Sequence, residues 1–497
     1  MSKKFQNYIN GKWLDSKTGR TFENRNPANW DELIGTFPLS GKEDVLDAVK
    51  AARTAFESWR LVPAPKRGDI LKKTGDLLVA RKEEIAREMT REMGKVLIET
   101  RGDVQEGIDT AYYAASEARR LFGHTVPSEL PNKFNMAMRV PIGVAAIITP
   151  WNFPMAIPTW KIFPALVCGN TVVFKPASDT PATATTLVEI LAEAGVPAGV
   201  VNIVHGGGTE VGVALVEHPD VDLVSFTGST AVGKKISEIA SRTLKRVSLE
   251  LGGKNAQIVM DNAKLDLALE GVLWGAFGTT GQRCTATSRL IVHEKVYDKF
   301  LAMVAEAAGK LRLGDGLKDG VDVGPCVNEK QRATVEEYVT IGVQEGARLV
   351  AGGHRATGND LSKGWFHDPT VLADVNPTMR VAKEEIFGPV LSVIKVKSLE
   401  EAIEVANNTT YGLSSSIYTQ DINNAYQAIR DIKAGITYVN APTIGAEAHM
   451  PFGGVKETGN GHREGGWTVY EFYSEWKTVY VDYSGKLQRA QIDNAGE

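Results

Sequence analysis

Between residues 143 and 253, short apolar segments at 144–148, 171–174, 200–204, 223–226 and 246–249 alternate with amphipathic helical patterns. No other feature of the chain narrows the possible folds so far. Strands buried on both faces of a parallel sheet read as continuous apolar runs, and helices supply the crossovers that parallel strands require. A sheet wound on both faces is therefore expected. Each segment runs into a stretch rich in Gly, Pro, Asn, Lys, Ser or acid, namely TPWN, KPAS, HGGG, TGST and ELGG. Ligands of open α/β sheets bind outside the carboxyl ends of the strands, which predicts a site along that edge.

A second alternation begins beyond residue 254, with strand-like runs at 256–260, 289–293, 390–395, 413–418 and 435–440, so a second α/β unit is expected. Near the start, Asn10-Gly11 between strand-forming residues predicts a two-residue hairpin over residues 8–13. Three long helical patterns follow; the first carries Val45, Val49, Ala52, Phe56 and Trp59 on one face, with Ser40 and Glu43 at capping-box spacing. Segments 127–140 and 469–483 are strand-like without a core of their own, as expected of a hairpin-and-strand arm that docks on another subunit. The closing stretch, 484–497, is polar and expected to be loose.

Composition excludes several classes of function. A chain of 497 residues is too long for one compact core, and 43% hydrophobic with 23% charged residues is ordinary for packed domains. The net charge of -4 is spread along the chain, which leaves no footprint for nucleic acid or an anionic membrane and makes a small molecule the default partner. The opening MSKKFQNYINGKW lacks the apolar core of roughly 7 to 15 residues that a secretory signal needs, and no apolar run approaches the ~20 residues of a membrane span. A cytoplasmic location is expected. The three cysteines, Cys168, Cys284 and Cys326, stand far apart with no CxxC spacing, so neither a disulfide framework nor a thiolate metal site is expected. There is no internal repeat and no low-complexity tract.

Several residues are candidates for chemistry. At Phe226-Thr-Gly-Ser-Thr-Ala-Val-Gly233 a strand enters a helix through small residues, leaving N-terminal N–H groups for an anion such as a pyrophosphate, although the same residues are ordinary in turns and the GxGxxG fingerprint is absent. Gly206-Gly-Gly208 reads the same two ways, and Lys175 adds a cation at the same edge or a solvated strand end. Cys284 sits in the small-residue stretch Gly275-Ala-Phe-Gly-Thr-Thr-Gly-Gln-Arg-Cys-Thr285 and is expected to be accessible, with Arg283 or a cationic nicotinamide ring able to lower its pKa. Cys168 follows the apolar stretch 163–167 and reads as core; Cys326 has no evident base beside it. Glu250 at an apolar strand end reads equally as a general base or as half of a structural ion pair. Asn152, between Trp151 and Phe153, offers an amide donor or a cap.

Taken in order, Thr149-Pro-Trp-Asn-Phe-Pro154, Phe226-Thr-Gly-Ser229, Leu249-Glu-Leu-Gly-Gly253, Gly281-Gln-Arg-Cys284, Glu385-Ile-Phe-Gly-Pro389 and Pro451-Phe-Gly-Gly454 resemble the motifs of the aldehyde dehydrogenase superfamily over nearly the whole chain. The resemblance implies a Rossmann-like parallel-sheet cofactor domain (1–121 and 143–253), a second α/β catalytic domain (254–468), a small β oligomerisation arm (122–142 and 469–484) and a tail (485–497). It implies that Cys284 attacks an aldehyde carbon, that the Asn152 amide and the Cys284 backbone N–H hold the oxyanion, and that Glu250 activates the water that hydrolyses the thioester. Relatives that pass the acyl group to coenzyme A lack such an acid, so hydrolysis is favoured over acyl transfer.

For the cofactor, the resemblance puts Lys175 and Ser178 at the adenosine ribose, Gly208 and Ser229 near adenine and pyrophosphate, and Glu385 with Phe387 at the nicotinamide ribose. Thr149, Pro150, Trp151, Phe226, Gly228, Val232 and Leu251 complete the expected cofactor set. NAD-preferring members often carry Glu where this chain has Ser178, and a serine removes that repulsion of a 2′-phosphate. NADP is therefore expected to be accepted and is the candidate for the preferred cofactor, with NAD as the other. Phe153, Trp160 and Phe452 are the expected substrate residues, and aromatic walls suit many aldehydes. The extra His462 in Gly459-Asn-Gly-His-Arg-Glu464 and the tail YVDYSGKLQRAQID are similar to members acting on semialdehydes such as 2,5-dioxopentanoate. A broad-specificity aliphatic and aromatic enzyme is the alternative; a coenzyme-A-acylating enzyme and a silent structural protein are more distant ones. A homo-oligomer is expected, a dimer or tetramer.

Overall fold

The computed structural model describes residues 3–493, and the last residues of the polar stretch 484–497 lie outside them. Strands Val144–Ile148, Thr171–Lys175, Val201–Ile203, Leu223–Thr227 and Arg246–Glu250 are parallel neighbours, with the fifth and fourth on one side of the first and the second and third on the other. The strand order thus reverses between Val144–Ile148 and Leu223–Thr227, and such a switch point opens a crevice at the carboxyl ends. The predicted hairpin, Asn7–Ile9 with Lys12–Leu14, extends this sheet antiparallel to Val201–Ile203. Asn10 and Gly11 turn it with φ of 51° and 77°, the positive pair that a type I′ turn demands.

The second sheet places Asn255–Val259 at its centre, between Thr287–His293 and Ser414–Tyr418, with Val390–Val396 and Ile436–Val439 further out. It also takes Thr370–Ala373 and an antiparallel edge strand, Arg348–Ala351, which no sequence pattern marked. Four residues each are too few to express a period. The arm is a three-stranded antiparallel sheet in which Lys133–Pro141 pairs along its length with Ser474–Asp482 and on its other side with His124–Pro127.

Three expectations need correction. Residues Val469–Tyr473 are a short helix, not the start of a strand, because Val469, Tyr470, Phe472 and Tyr473 bury themselves in the core under the first sheet. Four helices, not three, precede the arm: Lys42–Trp59, Ala64–Ala80, Lys82–Met93 and Leu97–Glu117. Only Arg81 separates the second from the third, with no Gly or Pro to announce the break. The first helix is capped one residue later than its sequence suggests. The Asp44 carboxylate accepts from the Gly41 N–H at 3.0 Å, while Ser40 Oγ instead accepts from Asn7 Nδ2 at 2.8 Å. A further hairpin, Thr21–Asn26 with Asn29–Pro38, was not expected at all. Two register shifts interrupt its pairing and blur the alternation of its residues.

Candidate active site

The loop after Val144–Ile148 and the one after Leu223–Thr227 face each other across the switch point and share a cavity of about 350 Å³. Pro150, Trp151, Asn152, Gly228, Ser229, Leu251, Cys284, Glu385 and Phe387, all singled out from sequence, line it together with Thr227, Gly252 and Gln331. Cys284 is partly accessible, and Asn152 is buried with its Oδ1 unpartnered. Cys168 and Cys326 are buried.

The backbone before the nucleophile is unusual. Thr279 and Thr280 take left-handed φ of 52° and 58°, followed by Gly281 at 66°. Left-handed threonines are strained and persist only where the surroundings fix them. Here Glu99 Oε1 accepts from the Thr279 N–H at 2.7 Å, and Thr280 Oγ1 donates to the Gly324 carbonyl at 2.9 Å. Gln282 Oε1 accepts from the Val327 N–H at 2.9 Å. On the far side, Asn255 Nδ2 donates to the Cys284 carbonyl at 2.8 Å. Phe387 is likewise left-handed, at 58°, and Gln331 Nε2 donates to both the Ile386 and Phe387 carbonyls. No local sequence signal marked Thr279, Thr280 or Gln331.

Electrostatics correct one expectation. Arg283 does not activate its neighbour: its Nε donates to Thr279 Oγ1 at 2.8 Å and its Nη2 pairs with Glu99 at 3.1 Å. Burial, then the carboxylates of Glu385 and Glu250, push the Cys284 thiol up to about 12.

Glu250 ends its strand 3% exposed, with neither carboxyl oxygen hydrogen-bonded. Such a buried, unsatisfied acid asks for a purpose. Burial, and next the nearby Glu464, raise its pKa well above the carboxylate range, against the pull of Lys161 and Arg463. Lys161 and Glu464 form a buried ion pair at 2.6 Å, and Lys161 Nζ also donates to Ser225 Oγ at 2.9 Å. This pair beside Glu250 was not legible in the sequence, because its members lie in different elements.

On the cofactor side, Gly253 N–H donates to Glu385 Oε1 at 2.8 Å, and a Cβ on Gly252 would collide with the same carboxylate. Burial raises Glu385 to about 7. The Trp151 and Phe387 rings meet edge to face at 5.3 Å. Ser229 caps the helix Thr230–Ser241 without a side-chain bond, so the first N–H groups of that helix remain open at the switch point. Val232, in its first turn, is exposed. Lys175 is buried, donates to the Pro176 carbonyl at 2.7 Å, and burial lowers it to about 8. Ser178 Oγ donates to the Gly206 carbonyl at 3.3 Å, and Gly208 opens the helical turn Gly208–Gly212. Thr149 donates its N–H to the Lys175 carbonyl, and Phe226 is core. Lys175, Ser178, Gly208, Thr149, Phe226, Val232 and Glu250 do not line the 350 Å³ cavity. The crevice, the open helix N-terminus and the cation behind it fit a dinucleotide. Among the described residues no cluster of His, Cys, Asp or Glu could hold a metal ion.

Of the expected substrate residues, Trp160 and Phe452 pack ring to ring at 4.9 Å. Phe153 has Lys95 Nζ 3.8 Å from its ring centroid and the Arg283 guanidinium at 5.7 Å. His462 packs edge-on against Phe472 at 4.9 Å.

Comparison with known proteins identifies the family and the fold. The sequence pattern of the Aldehyde dehydrogenase family matches residues 13–479. An alpha-ketoglutarate semialdehyde dehydrogenase of Haloferax volcanii is 46% identical over 96% of this chain and 99% of its own length. A 2,5-dioxopentanoate dehydrogenase of Saccharolobus solfataricus is 43% identical over 94% of this chain and 98% of its own. Among solved structures, an NAD-dependent aldehyde dehydrogenase from Sinorhizobium meliloti superposes with a TM-score of 0.95 at 39% identity, covering 98% of this chain and 96% of that one.

Proposed function

The chain belongs to the aldehyde dehydrogenase family and oxidises an aldehyde to a carboxylic acid with NAD(P)+, and from that premise we propose that its substrate is an acid semialdehyde of the 2,5-dioxopentanoate class and that Cys284, Asn152 and Glu250 carry the chemistry. The observation behind this assignment is the convergence of the three: Asn152 and Cys284 open onto one cavity, and the unpartnered Glu250 carboxyl is close enough to bear on the Cys284 thiol.

Cys284, once its Sγ has lost its proton to solvent, attacks the aldehyde carbon as the thiolate, and the oxygen that becomes negative is met by the Asn152 amide and the Cys284 N–H. Donors fixed in advance stabilise charge that develops only in the transition state. A bound NAD(P)+ supplies the acceptor for the hydrogen that leaves the former aldehyde carbon. The thioester left on Cys284 is hydrolysed by a water from which Glu250 removes a proton. A buried carboxyl with a raised pKa suits that step, since a base must hold the proton it takes. Glu250 also favours water over coenzyme A as the acyl acceptor.

Ser178 and Lys175 support acceptance of NADP, because no carboxylate at residue 178 repels a 2′-phosphate. The semialdehyde class rests on relatives that match nearly end to end and on the His462 insertion. The open edges and exposed Phe134, Met138, Trp476 and Tyr480 of the three-stranded arm support a homo-oligomer, with the cofactor, catalytic and arm segments divided at residues 122–142, 254 and 469. No described helix is long and apolar enough to cross a membrane, which is compatible with a cytoplasmic enzyme. A screen of kcat/KM across 2,5-dioxopentanoate, succinic semialdehyde, alkanals and benzaldehyde tests the substrate class; alkanals outperforming both semialdehydes would overturn it.

A further inference from the structure

On the Phe153 side of the nucleophile lies a buried lattice of charge. Lys95 pairs with Asp103 at 2.7 Å, both side chains fully buried, and Arg283 pairs with Glu99 at 3.1 Å. Both cations flank the ring of Phe153, the neighbour of Asn152. Asp103 is fully engaged, because its other oxygen accepts from the Ala156 N–H at 2.7 Å. Each cation thus has its own carboxylate, and the lattice is neutral.

Glu106 stands one turn beyond Asp103 on the helix Leu97–Glu117, on the same stripe as Glu99 and Asp103. Its Oε1 is buried and has no hydrogen-bond partner. The groups that bear on it are Asp103 and Asp109 on its own helix, Lys95 before that helix and Arg283 beside the nucleophile. Tyr438, on the strand Ile436–Val439 of the second sheet, lies within electrostatic range of both Glu106 and Cys284. Tyr438 itself donates to the Gly445 carbonyl at 2.6 Å and leaves Glu106 unsatisfied.

We propose that Glu106 is a specificity-determining residue that, as a neutral carboxylic acid, donates a hydrogen bond to an oxo or carboxylate oxygen carried by the substrate beyond its reacting aldehyde. A third carboxylate in this lattice finds no free cation and meets Asp103 instead, so the protonated form is favoured; burial chiefly, then Asp103, raises it to about 8. An acid that keeps its proton at neutral pH is a donor, and the complement of the buried, unpartnered Oε1 is an oxygen acceptor. An alkyl chain in the same place would leave the carboxyl unpaired. Sites built to bond a polar group discriminate strongly against analogues that lack it. This deepens the semialdehyde reading and rests on it.

The test compares kcat/KM for 2,5-dioxopentanoate with that for pentanal in wild type, Glu106→Gln and Glu106→Leu. The ratio of the two substrates cancels changes common to both, including the ionisation of Cys284. We expect Glu106→Leu to lower the ratio by about tenfold or more, and Glu106→Gln, whose amide still donates, to restore most of it. In wild type the ratio falls as pH rises through about 8, where the donor loses its proton, and in Glu106→Gln it stays level. A wild type that prefers the semialdehyde with a ratio unchanged in Glu106→Leu, or equal losses on both substrates, overturns this role alone. A wild type that prefers pentanal overturns the substrate class and this role with it.

Discussion

Glu99 and Arg283, 184 positions apart, meet at 3.1 Å behind the nucleophile, and the same Glu99 oxygen accepts from the left-handed Thr279 at 2.7 Å. One carboxylate from the helical layer thereby holds both the strained turn and the cation next to Cys284. Glu99→Ala leaves a buried guanidinium and a buried N–H unpaired, and losing one partner of a buried pair costs roughly 3–5 kcal/mol. Urea unfolding should register that loss. Glu99→Gln keeps an acceptor for Thr279 and should lose less; equal stability of wild type and Glu99→Ala would refute the bracing role.

The hydrolytic step should carry the titration of Glu250. Its pKa is raised by burial first and by Glu464 next. The base form therefore appears as pH rises through that elevated value, and kcat, where hydrolysis limits it, rises with pH. Glu464→Gln removes the second cause, so the rising limb of the kcat–pH profile should move to lower pH. A limb that stays in place or moves upward contradicts the assignment. Glu250→Gln should give one equivalent of reduced cofactor rapidly and little thereafter, read by stopped-flow absorbance.

Asn152→Ala removes the side-chain donor facing the developing oxyanion. The loss of one such donor typically lowers kcat by about 10²–10³-fold, and cofactor affinity should not change. Retention of full kcat would exclude Asn152 from the site. Cys284→Ser should abolish oxidation while cofactor binding, followed by tryptophan fluorescence, persists.

Ser178→Glu places a carboxylate at the expected adenosine-ribose position. KM for NADP should rise about tenfold or more through repulsion of the 2′-phosphate, with KM for NAD little changed. An equal effect on both cofactors would mean that Ser178 does not contact the ribose region.

Much of the first sheet was legible because parallel buried strands must be apolar throughout, and the segments at 144–148 and 223–226 declared themselves that way. The Asn10-Gly11 turn was legible for a steric reason, since few pairs tolerate two positive φ angles. The hairpin Thr21–Asn26 with Asn29–Pro38 was not, because its register shifts erase the period of two on which strand recognition depends. The break at Arg81 escaped for want of a local breaker.

The sequence by itself determined the chemistry on offer: a cysteine in a small-residue loop, an acid at an apolar strand end, an amide after the first strand, and motifs in a fixed order. Those are local properties, written in residue type and spacing. Only the tertiary structure decided how they are used. It gave Arg283 to Glu99 and not to Cys284, placed the Lys161–Glu464 pair beside Glu250, and left Glu106 without a cation in a neutral lattice. Electrostatic partnership depends on distance and burial in space, and the members of each pair come from elements far apart in the chain.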